Sequence, residues 1–193
     1  MNTTASVKLS NYRAFIKSVD ALTVKLTERY QAHLLCRAGC SGCCHHHLSV
    51  FPVEAASVQS AIASLTDEVQ QRLHIQAKTV MEKETNGEMA SCPLLLENCC
   101  SIYESRPLIC RTQGLPLLYE TDKGAQEVDF CPLNFTTEEA LNDLEEQHLV
   151  PLDALNLQLA KINWQYCRES GLNSEKTATR IPVAEIIHKQ FIT

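Results

Sequence analysis

The 193 residues suit one domain with its own hydrophobic core, so the cysteines are not needed to rescue a small fold. Apolar residues make up 45% of the chain, the net charge is −6 and no Lys/Arg run exceeds two, which argues against a general nucleic-acid binder. The stretch from Met1 to Lys8 lacks the apolar run of a signal peptide, and no window approaches membrane-spanning length; the expectation is a cytoplasmic protein with no membrane partner.

Along the chain, Tyr12, Phe15, Val19, Leu22, Leu26 and Tyr30 recur at three- and four-residue steps. That rhythm predicts an amphipathic helix ending near the first cysteine. A cysteine island follows, with Cys36, Cys40, Cys43 and Cys44 running straight into His45, His46 and His47. Gly39 and Gly42 permit tight turns there. Leu48 to Pro52 is short and partly β-branched, which predicts a short extended piece and not a full sheet.

Pro52 suits the first turn of a second helix, with Glu54 favourable near its N-terminus and Ala55, Val58 and Ile62 on its buried face. Thr66, Asp67 and Glu68 read as a fresh helix start. Val69, Leu73, Ala77 and Val80 supply that helix's buried face, and Asn86-Gly87 stops it. Residues 91–135 show little periodicity but hold five of the ten cysteines and four of the seven prolines. They read as an irregular region folded around a metal site, with an exposed loop or hairpin turn over Tyr119 to Gln126. Thr136-Thr137-Glu138-Glu139 is a capping sequence. Pro151 opens a helix carrying Leu152, Leu155, Leu159, Ile162 and Tyr166, with Gly171 as its stop. Val183, Ile186, Ile187 and Phe191 predict a last short helix.

The expected architecture is therefore mostly α: a single compact helical domain over 1–193 with an irregular, cysteine-rich metal-binding middle. The cysteine module runs from about 34 to 135, framed by N- and C-terminal helices.

Ten cysteines in a reducing compartment favour metal binding over disulfides. The two-residue gap between Cys40 and Cys43 is common in zinc knuckles and in ferredoxin-type loops, where a turn aims two sulfurs at one centre. Cys43 and Cys44 are adjacent, and neighbouring side chains are expected to diverge. Either one of them is not a ligand or the centre holds more than one metal; the same applies to Cys99 and Cys100. Four thiolates around a divalent ion leave two surplus negative charges. Arg106 and Arg111 bracket Cys110, and a guanidinium facing a cluster would offset that surplus. One of the three consecutive histidines is a further candidate ligand.

Taken together, Cys36, Cys40, Cys43 and Cys44, then Cys92-Pro93 with Leu95, then Cys100, Ile102, Tyr103, Arg106, Pro107, Cys110 and Arg111 form a specific pattern. It resembles the YkgJ-type cysteine-cluster proteins, the CxxCxxCC family, described as a zinc- or iron-chelating domain. Glu54 after Pro52 also fits that family's acidic residue. The resemblance covers roughly residues 34–135. It implies metal or iron–sulfur binding, with Cys36, Cys40, Cys43, Cys44, Cys92, Cys100, Cys110 and Cys131 as the metal ligands and Arg106 and Arg111 facing the cofactor. Cys99 is an addition to the pattern, and Cys167 lies beyond it and reads as a buried thiol. A similar module occurs in flagellin lysine methylases, but this chain has no glycine-rich motif for a separate S-adenosylmethionine domain.

The cofactor expected is an iron–sulfur cluster or iron, with zinc as the alternative; eight cysteines could also fill two zinc sites. The leading reading is a metal- or cluster-binding module of unassigned process. A redox or protein-modifying enzyme using the centre, or a metal storage or delivery protein, stands beside it. No P-loop, dinucleotide fingerprint or nucleophile–base motif supports a particular reaction. Neither a substrate nor a protein partner is legible.

Overall fold

The structure, a computed structural model, describes residues 8–37, 39–173 and 177–189. Among these are seven α-helices and seven short strands, and the plan is mostly α, as the periodicity predicts. They fall into two compact units: a first within residues 1–10, 38–107 and 162–193, and a second within 11–37 and 108–161.

In the first unit, helix α2 (Pro52–Ala63) starts where proline removes a backbone donor that would go unused, and the Glu54 carboxylate accepts from the Phe51 backbone N–H at 3.1 Å. Helix α3 (Asp67–Thr85) is capped by Thr66, whose side chain accepts from Val69 N–H, and it ends at Asn86 and Gly87, the latter at φ 72°. Val58 and Ile62 of α2 and Leu73, Ala77 and Val80 of α3 bury into one core with helix α7 (Val183–His188). The predicted Phe191 at the end of that last helix lies outside the described residues. Strand β1 (Ser49–Val50) pairs antiparallel with β7 (Ile181–Pro182), so the short extended piece found a partner far along the chain. A second small ladder pairs β2 (Leu95–Leu96) with β3 (Cys99–Cys100).

The second unit contains nearly all of α1 (Ser10–Arg29), the five-residue helices α4 (Leu108–Thr112) and α5 (Glu138–Asn142), and a three-stranded sheet. The sheet order is β5 (Gln126–Asp129), β4 (Leu117–Glu120), β6 (Val150–Pro151), with β4 antiparallel to β5 and parallel to β6. The polar stretch from Tyr119 to Gln126 thus includes a hairpin turn, closed by Gly124 at φ 76° and by Thr121 N–H donating to Ala125 O. The core of this unit gathers Leu26, Tyr30, Leu115, Phe135, Ala140 and Val150. Tyr30 meets Phe135 edge-on with ring centroids 5.2 Å apart.

Helix α6 (Leu152–Glu169) begins in the second unit and ends in the first, after Pro151 and before Gly171 at φ 70°. Its Asn163 is buried; the side-chain carbonyl accepts from Val53 N–H in the first turn of α2 at 3.2 Å, and the amide donates to Thr177 O at 2.8 Å. Among the described residues, no helix is long and apolar enough to cross a membrane.

Residues 91–135 carry more regular structure than their weak periodicity suggests: two hairpins, a 3-10 turn over Tyr103–Ser105 and α4. Elements of two to five residues are too short to show a repeat in sequence.

Candidate metal centre

In the first unit the two cysteine islands are tied together by backbone. Cys44 lies in a 3-10 turn spanning Gly42–Cys44, and its carbonyl accepts from Cys92 N–H at 2.6 Å. Ser41 Oγ donates to Asn98 Oδ1 in the β2–β3 turn at 3.4 Å. That turn has two residues, Glu97 at φ 53° and Asn98 at φ 62°, the pattern of a type I′ hairpin whose twist matches the strands. Because strand side chains alternate, the turn sets Cys99 exposed and its neighbour Cys100 half-buried.

Two further devices aim the sulfurs of the second island. Leu94 N–H hydrogen-bonds the Cys92 sulfur, and Ile102 N–H hydrogen-bonds the Cys100 sulfur. Each is a backbone donor two residues beyond its cysteine, the arrangement that presents a thiolate to a metal while offsetting its charge. The two turns are locked to one another, since Ser101 gives both its N–H (2.8 Å) and its hydroxyl (2.9 Å) to Leu94 O. From α3, Gln76 Nε2 donates to Leu95 O at 2.8 Å and to Cys92 O at 3.3 Å.

Four thiols of this unit act on one another electrostatically. Burial pushes the Cys44 thiol up to about 12, with Cys43, Cys92 and Cys100 adding to the shift and a hydrogen bond joining Cys43 and Cys44. Burial pushes Cys92 up to about 11, against the pull of its backbone donor, with Cys100 and Cys43 adding again. Cys100 is raised as well, by burial, while the Ile102 N–H and the Arg106 guanidinium both draw it down. Neighbouring side chains were expected to diverge at Cys43-Cys44. In the 3-10 turn they do not, because its tight winding leaves the two sulfurs within hydrogen-bonding reach. Among the described residues, however, no group of three or more cysteine, histidine, aspartate or glutamate side chains is placed so that it could hold a metal ion.

The second unit holds Cys36, Cys110 and Cys131. Cys110 lies on α4, and the chain then turns at Gly114, φ 94°. Cys36 Sγ lies against that glycine and accepts a hydrogen bond from Asn134 Nδ2 at 3.4 Å. Cys131 is joined to the same asparagine through backbone, with Asn134 N–H donating to Cys131 O at 2.8 Å.

A family model described as "Putative zinc- or iron-chelating domain" (CxxCxxCC) matches residues 35–132, just over half of the chain. The chain belongs to the CxxCxxCC family. No curated protein and no solved structure matches it. The matched span includes all eight cysteines expected as ligands, and in this CxxCxxCC chain they fall in different places. Cys40, Cys43, Cys44, Cys92 and Cys100 lie in the first unit, and Cys36, Cys110 and Cys131 in the second. Cys40 is exposed, and Cys167 is fully buried on α6, donating to Asn163 Oδ1 at 3.7 Å.

The two arginines expected to face the cofactor also part. Arg106 lies in the first unit, stacked over the Tyr103 ring at 3.6 Å and close enough to lower the Cys100 thiol. Arg111, on α4 one residue after Cys110, is buried and makes an ion pair with Asp20 at 2.5 Å. All three consecutive histidines are exposed; His47 Nδ1 meets Glu84 and His45 Nδ1 meets Ser91 Oγ at 3.1 Å. The acidic residue after the first island, Glu54, is buried in the first turn of α2, holding Phe51 N–H. Sequence reasoning missed Gln76, which holds the Cys92 and Leu95 carbonyls in the first unit, and Asn134, which donates to Cys36 Sγ in the second. Gln76 faces inward next to Leu73 and Ala77 of the periodic helix, which was a usable signal; a lone asparagine after Cys131-Pro132 carried none.

Proposed function

We propose that the chain is a metal- or cluster-binding module in which cysteine thiolates hold iron or an iron–sulfur cluster, with zinc as the alternative cargo. The ligands proposed are Cys43, Cys44, Cys92 and Cys100 in the first unit, with Cys36, Cys110 and Cys131 of the second and exposed Cys40 completing the family set. The carrying observation is that Cys43 and Cys100 both act to raise the buried thiols of Cys44 and Cys92, and that Cys92 and Cys100 each take a backbone N–H donor on sulfur. Thiols that carry such donors, once drawn together by an ion, suit a soft or borderline metal. The adjacent pair Cys43 and Cys44, with their sulfurs within hydrogen-bonding reach, favours a centre with more than one metal over a lone tetrahedral zinc. A reducing cytoplasm is the compartment in which such thiols stay available.

Metal delivery is a second reading, favoured by the exposure of Cys36, Cys40, Cys43 and Cys99, which leaves sulfur reachable by an exchange partner. The proposal predicts that protein purified without oxygen carries iron and acid-labile sulfide and absorbs in the visible range, bleaching on exposure to air. A colourless protein with stoichiometric zinc and no sulfide would sink the iron–sulfur form. A protein that takes up neither iron nor zinc would sink the metal-binding reading as a whole.

A further inference from the structure

Asn134 is 1% exposed, and both ends of its side-chain amide are hydrogen-bonded. Its Oδ1 accepts from Leu35 N–H at 2.8 Å, and its Nδ2 donates to Gly114 O at 2.8 Å. An N–H donor on one end and a carbonyl acceptor on the other leave only one orientation for the amide. The second amide hydrogen is then aimed at Cys36 Sγ, 3.4 Å away. An amide hydrogen fixed on sulfur favours the sulfur as an acceptor, which a metal-bound thiolate is.

The surroundings are built for that sulfur. A Cβ added at Gly114 would lie 2.7 Å from Cys36 Sγ, and its φ of 94° already excludes ordinary side chains, so the glycine makes the seat the sulfur fills. On the other side, Phe135 holds φ 51°, an uncommon conformation for a bulky residue. Its N–H donates to His33 O at 3.0 Å, and its ring packs on Tyr30 and Phe130. A strained residue fixed at several points keeps the position before it from drifting. Through Asn134, then, three segments are set against one another: the one bearing Cys36, the turn after Cys110, and the loop bearing Cys131.

The geometry points to Asn134 as the positioning residue of the Cys36 sulfur, donating an N–H···S hydrogen bond to it in the metal-bound protein. This rests on the metal-binding reading above. A direct N–H···S role separates from general support of the fold by coupling: the effect of removing Asn134 must depend on the sulfur being present.

The test titrates Co(II) into the reduced full-length protein and follows the sulfur-to-cobalt charge-transfer absorption in wild type, Asn134→Ala, Cys36→Ser and the double variant. The expected loss of cobalt affinity on Asn134→Ala is about ten- to a hundredfold, with a shifted charge-transfer band. In the Cys36→Ser background the same substitution should cost little more, within about twofold. If Asn134→Ala fails to fold, Asn134→Asp is used; it keeps an acceptor for Leu35 N–H and replaces the donor with a second oxygen. Equal losses in both backgrounds would overturn the assignment and leave a structural asparagine. Wild type that loads while the Asn134 variants load identically would also overturn it. Wild type that takes up no cobalt would overturn the metal reading itself, and the role of Asn134 with it.

Discussion

Serine at Cys92 or at Cys100 is expected to abolish metal loading of the first unit, whereas serine at Cys99 or Cys167 leaves it intact. The first pair belongs to the set of thiols that act on one another, and each receives a backbone N–H on sulfur, from Leu94 and Ile102. A hydroxyl is nearly the same size but is a poor ligand for a soft metal, so the fold survives and the affinity does not. Since altering even the outer partners of a ligand costs ten- to a hundredfold, losing a ligand should cost more than about a hundredfold. Cys99 precedes Cys100 on β3 and is exposed by strand alternation. Cys167 is buried on α6 against Asn163. Metal content of the four purified variants checks this. Loss of metal from Cys99→Ser equal to that from Cys100→Ser would contradict the assignment of the inward sulfur.

Metal affinity should also rise steeply with pH. Burial raises the thiols of Cys44, Cys92 and Cys100, the first to about 12 and the second to about 11. All three are therefore protonated near pH 7, and binding as thiolates releases a proton from each. Acid pushes that equilibrium towards the free thiols and base towards the complex. With at least these three protons released, affinity should climb at least about a thousandfold per pH unit around neutrality, since each proton contributes a factor of ten. Zinc titrations at pH 6.5, 7.0 and 7.5 against a chelator of known affinity read this slope. A change of tenfold or less per unit would mean that only one proton leaves, and that the thiols do not bind as a group.

Much of the helical frame was readable from the chain because its signals are local. Thr66 accepting from Val69 N–H, Pro52 at a helix start and Gly87 at a helix end all lie within a few residues of the boundary they set. The small sheets were not readable in the same way. β1 finds β7 some 130 residues later, and β4 pairs in parallel with β6 about 30 residues on. No periodicity within two to four residues announces such partners. The β2–β3 hairpin turns on Glu97-Asn98, which lacks the glycine that usually marks a two-residue turn.

The candidate site was legible as a set of residue types and only partly as geometry. Spacing picked out the cysteines, and the family match spans them. The expectation that Cys43 and Cys44 diverge rested on regular helix or strand, and the 3-10 turn over Gly42–Cys44 is neither. Arg106 and Arg111 look equivalent around Cys110 in sequence. In the fold one stacks on Tyr103 beside Cys100 and the other pairs with Asp20, because α4 begins between them and turns Arg111 inward. Asn134 depends on a conformation at Phe135 that nothing in the sequence marks.

X-ray absorption at the metal edge of the loaded protein tests the central claim most directly. The account predicts a first shell made of sulfur, at about 2.3 Å if the metal is zinc. A centre with more than one metal adds metal–metal scattering. Cys92→Ser should lose this sulfur shell. A first shell dominated by nitrogen and oxygen donors, unchanged in Cys92→Ser, would contradict thiolate binding by these cysteines.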